Sequence, residues 1–242
     1  MKTVVIIGTI HKPTNNYSKY DLLNLLEKIK PSLLLEELPD SFYDASGKRK
    51  IKRNFDSQEE YAIDTYAKKY NIKILPYDVH DRQEIIKNIN LFENNEKVFE
   101  IIDGLLENDD LTIDQRNRIE ECYNYFEMRD EIIKNGTWRE INSTKFDEVN
   151  DNKEEAFKKL YLEVVPSHRK LVEYIDYCKK CIEFWDIRNR RMCENINRLA
   201  IEDGITAVLV GVEHKSIFLR LLKDYREIKY YSIEEYIEKA MS

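Results

Sequence analysis

The chain has 242 residues, of which 42% are hydrophobic and 35% are charged, a composition typical of one globular domain with a well-buried core. A net charge of −7 argues against a nucleic-acid-binding protein or one that binds acidic membranes. No apolar run approaches the ~20 residues of a membrane-spanning helix, and no signal-peptide core follows Met1, so we expect a cytoplasmic protein.

The first predicted strand covers residues 3–10 and ends in a glycine-x-x-histidine frame. Gly8 stands three residues before His11, where a glycine lets the backbone turn or approach a ligand closely. A helix is predicted over residues 19–29, because Ser18 and Asp21 have the spacing of a capping box. This begins an alternation of strands and helices that is typical of a parallel sheet.

The next two predicted strands end in acidic residues. The second, over residues 32–38, ends with Glu36 and Glu37, whose side chains should face opposite sides of the strand. One of them is expected to enter the space above the sheet, and the sequence leaves open which. The third strand ends at Asp78, with His80 on the same face if the strand continues. Buried carboxylates are costly unless paired, metal-bound or hydrogen-bonded, so these residues are site candidates.

Residues 82–203 show helical patterns without a strand pattern and are predicted to form a helical insertion within a single α/β domain spanning 1–242. We interpret the insertion as a cap over the sheet; a helical subdomain without contact to the site is the alternative. Its last helix carries Arg188 beside an apolar stripe that is interrupted at Asn189. A guanidinium in that position needs a carboxylate or anionic partner.

The four cysteines are interpreted as reduced thiols packed between helices. Cys178 and Cys181 are spaced as half of a zinc site, but no second pair of cysteines or histidines has the required spacing. A nucleotide-binding fold is also not favoured, because the first strand lacks the Gly-x-Gly-x-x-Gly loop.

A second glycine-x-x-histidine frame, Gly211 to His214, ends the apolar run over residues 207–210, and a helix and a strand follow it again. With four histidines and six glycines in the chain, chance placement predicts about 0.1 such frames. We therefore predict an α/β fold with a parallel or mixed sheet built from two βαβ-like halves. Ligands bind beyond the carboxyl ends of parallel strands, so both histidines should line one site.

Two chemistries fit this site. In the first, His11, Glu37 and His214 hold a divalent metal (Mn, Co, Fe or Zn) that makes hydroxide available near neutral pH. Asp78 completes the shell, and Arg188 stabilises an oxyanion or binds a substrate carboxylate. In the second, a histidine activates water without a metal. The secondary candidates are Gly8, Glu36, His80 and Gly211.

The order of these motifs along the chain resembles the TraB/TIKI family, within the broader erythromycin-esterase-like and ChaN-like group. The matching segments are Gly8-Thr9-Ile10-His11, Pro31 with the apolar run to Glu37-Leu38, Asp78, Arg188-Asn189-x-x-Met192, and Gly211-Val212-Glu213-His214. Ser32 stands where the family usually has an aspartate after the proline.

The resemblance implies a two-half α/β fold with a helical insertion. For some members it implies metal-dependent peptidase activity, with the histidines and the glutamate as the site. Other members are esterases thought to work without metal, haem- or iron-binding proteins, or regulators of pheromone response, so the resemblance does not fix the reaction. We therefore expect a hydrolase of a peptide, amide or ester bond, acting on a small molecule or peptide. The alternatives are a metal-free esterase and a non-catalytic ligand-binding regulator, and the oligomeric state stays open.

Overall fold

The computed structural model describes residues 1–52, 54, 56–108 and 110–241, with the side chain of Met241 excepted. Within these residues the strands are β1 (Lys2–Thr9), β2 (Leu33–Pro39), β3 (Lys73–Asp78), β4 (Ile205–Gly211) and β5 (Ile228–Ser232). The α-helices are α1 (Lys19–Ile29), α2 (Gln58–Tyr70), α3 (Arg82–Asn88), α4 (Leu91–Glu107), α5 (Ile113–Asn135), α6 (Trp138–Asn142), α7 (Thr144–Lys159), α8 (Val165–Ser167), α9 (Ile175–Leu199), α10 (Val212–Leu221) and α11 (Ile233–Met241). No helix in the described part of the chain combines the length and apolar character needed to cross a membrane.

All five strands run parallel in one sheet with the order β3-β2-β4-β1-β5, which confirms the predicted α/β class. The two halves of the chain interleave, because β4 lies between β2 and β1, and β1 lies between β4 and β5. The register of β1 and β4 places Thr9 opposite Gly211. The two glycine-x-x-histidine frames therefore leave the sheet side by side.

Each face of the sheet has its own apolar core, since alternate residues of a strand point to opposite sides. Val5 and Ile7 of β1 pack with helices α1, α2 and α11. Val4 and Ile6 pack on the other face with the second half of α9 and with α10. The start of α1 has the predicted capping box at Ser18 and Asp21, which satisfies backbone N–H groups that the helix itself cannot pair.

Helices α3 to α9 form the insertion, and most of them share a separate apolar core. Ile141 of α6 and Phe146 of α7 instead pack in the core beside β1. The first half of α9 belongs to that core through Cys178 and Cys181, whereas its second half packs on the sheet through Met192 and Ile196. Arg188 lies between these two halves. All four cysteines are free and buried, as the sequence predicts.

Candidate functional site

A buried arginine lies at the centre of the site. The Arg188 side chain is 3% exposed, and its Nε and Nη2 donate to the two carboxylate oxygens of Asp78 at 2.9 and 3.0 Å. Nη2 also donates to Glu37 Oε1 at 2.6 Å, and Arg82 Nη1 donates to Asp78 Oδ2 at 2.8 Å. Because two parallel bonds to one carboxylate fix the plane of a guanidinium, Arg188 has a defined orientation.

Glu37 and both histidines surround Gly211. The Gly211 N–H donates to Glu37 Oε2 at 2.7 Å. A Cβ atom on Gly211 would lie 3.2 Å from Glu37 Oε2, 3.8 Å from His214 Cδ2 and 3.9 Å from His11 Nε2. Any side chain there would fill the space that these three groups share. The structure thus brings residues from the two ends of the chain to one point, beside the Asp78–Arg188 pair.

His214 lies in the first turn of α10, is 12% exposed, and has a partner on each ring nitrogen. Its Nε2 lies 3.0 Å from Arg188 Nη1; because a guanidinium only donates, Nε2 is the unprotonated acceptor. Nδ1 therefore carries the hydrogen and donates to Asn189 Oδ1 at 2.6 Å. Burial lowers the pKa of His214 to about 4, with Arg188 acting in the same direction. The ring is thus neutral at pH 7.

His11 follows β1 and has different surroundings, since its side chain is 79% exposed. Its Nδ1 lies 3.6 Å from Oε2 of Glu59 in the first turn of α2, and Thr9 Oγ1 donates to the other oxygen of that carboxylate. Glu59 raises the pKa of His11 above the usual 6.5, although desolvation opposes the shift. His11 is therefore the exposed imidazole of the pair, with a carboxylate partner on one nitrogen, and it can exchange protons with a substrate or water.

The two carboxylates of the cluster remain ionised. Burial raises the pKa of Glu37, but the charge of Arg188 and the Gly211 N–H act against it, and the net shift is below the usual value. Burial likewise raises the pKa of Asp78, and its bonds to Arg188 reverse the shift. Burial lowers the pKa of Arg188, but Glu37 and Asp78 outweigh it, and the net shift is upward. The cluster therefore holds fixed charges across the neutral pH range.

Asn142, from α6, joins the insertion to both glycine-x-x-histidine frames. Gly8 N donates to Asn142 Oδ1 at 2.7 Å, and Asn142 Nδ2 donates to Gly8 O at 3.0 Å. Lys215, which follows His214, is fully buried and donates to Asn142 O at 2.8 Å and to Asp147 Oδ2 at 2.6 Å. A Cβ on Gly8 would lie 3.0 Å from Asn142 Oδ1. Gly8 thus accommodates the insertion, which contacts the site as the cap interpretation expects.

Two of the secondary candidates lie apart from the cluster. Glu36 faces the opposite side of β2, where its Oε2 lies 3.9 Å from Arg49 Nη1; Glu37 is therefore the carboxylate that enters the site. His80 is 73% exposed and pairs with Asp40, with Nδ1 2.5 Å from Oδ1. Because β3 ends at Asp78, His80 does not continue the face on which Asp78 lies.

Arg188 lies between two of the three residues predicted to hold a divalent metal, Glu37 and His214. Arg188 already bonds to Glu37 Oε1 and His214 Nε2, the atoms that a metal would need, and its positive charge opposes a second cation at this distance. Among the residues that the structure describes, no group of three or more His, Cys, Asp or Glu side chains is placed to hold a metal ion.

Three residues that shape the site, Glu59, Arg82 and Asn142, escape the sequence analysis, and a fourth, Asn189, appears there only as an interruption of an apolar stripe. Glu59 stands in the first turn of α2, where an acidic residue is expected for the helix dipole alone. Arg82 begins α3 and belongs to no pattern that marks it as part of a site. Asn142 ends a short helix that has no distinctive pattern. The interruption of the apolar stripe at Asn189 is the one signal in the sequence, because a polar residue on a buried helix face needs a hydrogen-bond partner.

Comparison of the chain with protein-family models, with curated proteins and with solved structures finds no significant match. The resemblance to the TraB/TIKI family therefore stays a prediction, and the function has to be argued from the site.

Proposed function

We propose that the protein is a hydrolase that cleaves an ester or amide bond with water activated by His11, and that it does so without a bound metal. The observation that carries this proposal is the contrast within the histidine pair. Both ring nitrogens of His214 are engaged, whereas His11 Nε2 faces the space at Gly211 without a hydrogen-bond partner among the described residues.

In the proposed reaction, His11 Nε2 takes a proton from a water molecule as the water oxygen attacks the substrate carbonyl carbon. The carbonyl electron pair moves to oxygen and gives a tetrahedral oxyanion. When the oxyanion collapses, the bond to the leaving alcohol or amine breaks, and the His11 imidazolium returns the proton to the leaving group. Glu59 supports both steps, since it holds Nδ1 and stabilises the imidazolium.

Two arginines bond to Asp78, and they differ in whether they can reach a substrate oxyanion. Arg188 is 3% exposed and uses four of its five N–H donors on Asp78, Glu37 and His214. Arg82 is 28% exposed, and its charge acts on His11. We therefore assign to Arg82 the contact with a substrate oxygen, and to Arg188 the positioning of Glu37 and His214.

The test is hydrolysis of a panel of p-nitrophenyl esters, anilides and short peptides by the purified protein, with and without a strong chelator. The proposal expects activity that survives the chelator and falls about 10²- to 10⁴-fold in His11→Gln, because general-base catalysis contributes that much. His80→Gln is the matched control, since His80 is equally exposed and also pairs with a carboxylate.

Activity that is lost with the chelator and restored by Mn, Co or Zn would replace this proposal with the metal-dependent hydrolase. A panel without any turnover, together with a small molecule retained through purification, would favour the non-catalytic ligand-binding alternative.

A further inference from the structure

A cavity of about 290 Å³ lies between the insertion and α10, and one of its walls is His214. Helices α4, α5, α7, α9 and α10 all contribute to its lining. Five Phe and Trp side chains contribute to the lining: Phe92, Phe99, Phe126, Phe157 and Trp185. The Phe99 and Phe157 rings are stacked with centroids 6.5 Å apart. Apolar walls of this kind recognise a flat or branched apolar group, because burial of its surface drives binding.

The wall beside His214 carries two largely buried cations. The side chains of Arg129 and Lys153 are 18% and 11% exposed, and both contact the carboxylate of Glu213, with Lys153 Nζ 3.0 Å from Oε2. Glu213 is itself 47% exposed. Arg129 also donates from Nε to Asp130 Oδ1 at 2.9 Å, so its charge is shared between two carboxylates. Lys153 pairs with Glu213 alone among the described carboxylates. Lys153 is therefore the cation that a ligand carboxylate can approach from the cavity, where low exposure strengthens the attraction between charges.

We infer that this cavity binds a small apolar carboxylic acid, with the apolar group against the aromatic rings and the carboxylate at Lys153. That the ligand is the substrate or product of this protein rests on the proposed hydrolase, whereas the binding itself does not. The position of His214 supports the connection, because the ring forms a wall of the cavity and also meets Glu37 and His11 around Gly211.

The experiment is isothermal titration calorimetry of the full chain with 4-phenylbutyrate and with its neutral counterpart, 4-phenylbutyramide. We expect saturable binding of the acid and about tenfold weaker binding of the amide, because only the acid forms charge-assisted hydrogen bonds. Lys153→Gln should weaken the binding of the acid about tenfold and leave the affinity for the amide unchanged. Lys159→Gln, on the same helix but outside the cavity, should change neither affinity.

Two cavity-filling variants locate the binding. Ile182→Phe on α9 and Ile217→Phe on α10 enlarge two lining residues on different helices and should weaken the binding of both ligands at least about tenfold. If both variants fail to fold, as judged by circular dichroism, the affinities of Lys153→Gln for the acid and the amide still test whether the carboxylate binds at Lys153.

Absence of saturable binding, equal affinity for the acid and the amide, or unchanged affinity in folded cavity-filling variants would overturn the inference. Saturable binding without hydrolysis would support the ligand-binding inference and contradict the proposed hydrolase activity. Hydrolysis without binding of the acid would support the hydrolase and contradict the ligand-binding inference.

Discussion

The two glycine-x-x-histidine frames leave neighbouring strands, yet their histidines have opposite surroundings. His11 is exposed and pairs with Glu59 through Nδ1. Its Nε2 faces the space beside Gly211 that Glu37 and His214 also border. His214 is nearly buried and bonds to Arg188 and Asn189. The same frame therefore supplies one imidazole that can take part in proton transfer and one that holds other groups in place.

The glycines of the two frames differ in the same way. Gly8 allows Asn142 of the insertion to approach the backbone of β1, whereas Gly211 donates its N–H to Glu37 and keeps open the space between the two imidazoles. The glycine-x-x-histidine spacing therefore predicts where each histidine lies in the fold. Its burial and its hydrogen-bond partners determine which chemical role it can have.

The largest expected effect is on the cluster around the second frame. Arg188→Met leaves the buried charges of Glu37 and Asp78 without their main partner, which should lower the free energy of unfolding by about 3–5 kcal/mol. Urea denaturation measures this change. Arg191→Met is the control, because Arg191 is 49% exposed and its pair with Asp81 is weak; it should cost at most about 1 kcal/mol. Equal losses in the two variants would contradict the central place given to Arg188.

Replacement of each histidine by leucine compares the frames directly. His214→Leu leaves Arg188 Nη1 and Asn189 Oδ1 without their partners and should cost about 1–3 kcal/mol of unfolding free energy. His11→Leu removes an exposed side chain and should change it by less than about 0.5 kcal/mol. Thermal and urea unfolding at pH 7 give both values. A His11→Leu variant as unstable as His214→Leu would remove the distinction between the frames.

The stability contributed by His214 should depend on pH. Its pKa is about 4 in the folded protein and about 6.5 in the unfolded chain, so the unfolded state takes up the proton first as the pH falls. The unfolding free energy of the parent should therefore decrease between about pH 6.5 and 4, by on the order of 3 kcal/mol from this group. The stability difference between the parent and His214→Leu should narrow over the same range, and a constant difference would contradict this linkage.

The smallest effect concerns the first frame. Glu59→Gln removes the carboxylate that raises the pKa of His11, so the acid limb of the pH–activity profile should move to lower pH. Glu84→Gln, which changes an exposed carboxylate on α3, should leave the limb in place. A Glu59→Gln profile that superimposes on the parent would show that Glu59 does not act on the catalytic base.

Local patterns in the sequence predict most of the fold. The alternation of apolar runs with capped helices predicts the parallel sheet, and the apolar stripe of α9 predicts a long helix that carries Arg188. The interleaved strand order is not predictable in this way, because the pairing of β4 with both β1 and β2 depends on contacts between distant segments. That order is what places Thr9 opposite Gly211.

The site is predictable only in part for the same reason. The sequence selects Glu37, Asp78 and Arg188 as candidates from strand ends and a helix face, but it cannot show that Arg188 stands between Glu37 and His214. The choice between Glu36 and Glu37 is settled by the side of β2 on which Arg188 lies. Glu59 meets His11 across 48 positions of chain, and no local pattern distinguishes it from an ordinary residue in the first turn of a helix.

The most direct test of the account is an NMR titration of the four histidine side chains between pH 4 and 8, assigned with His11→Gln and His214→Gln. The account predicts that the His11 imidazole titrates with a pKa above 6.5 and that His214 stays neutral until about pH 4. If both rings titrated together near 6.5, the two frames would be chemically equivalent, and the assignment of base and positioning roles would be wrong.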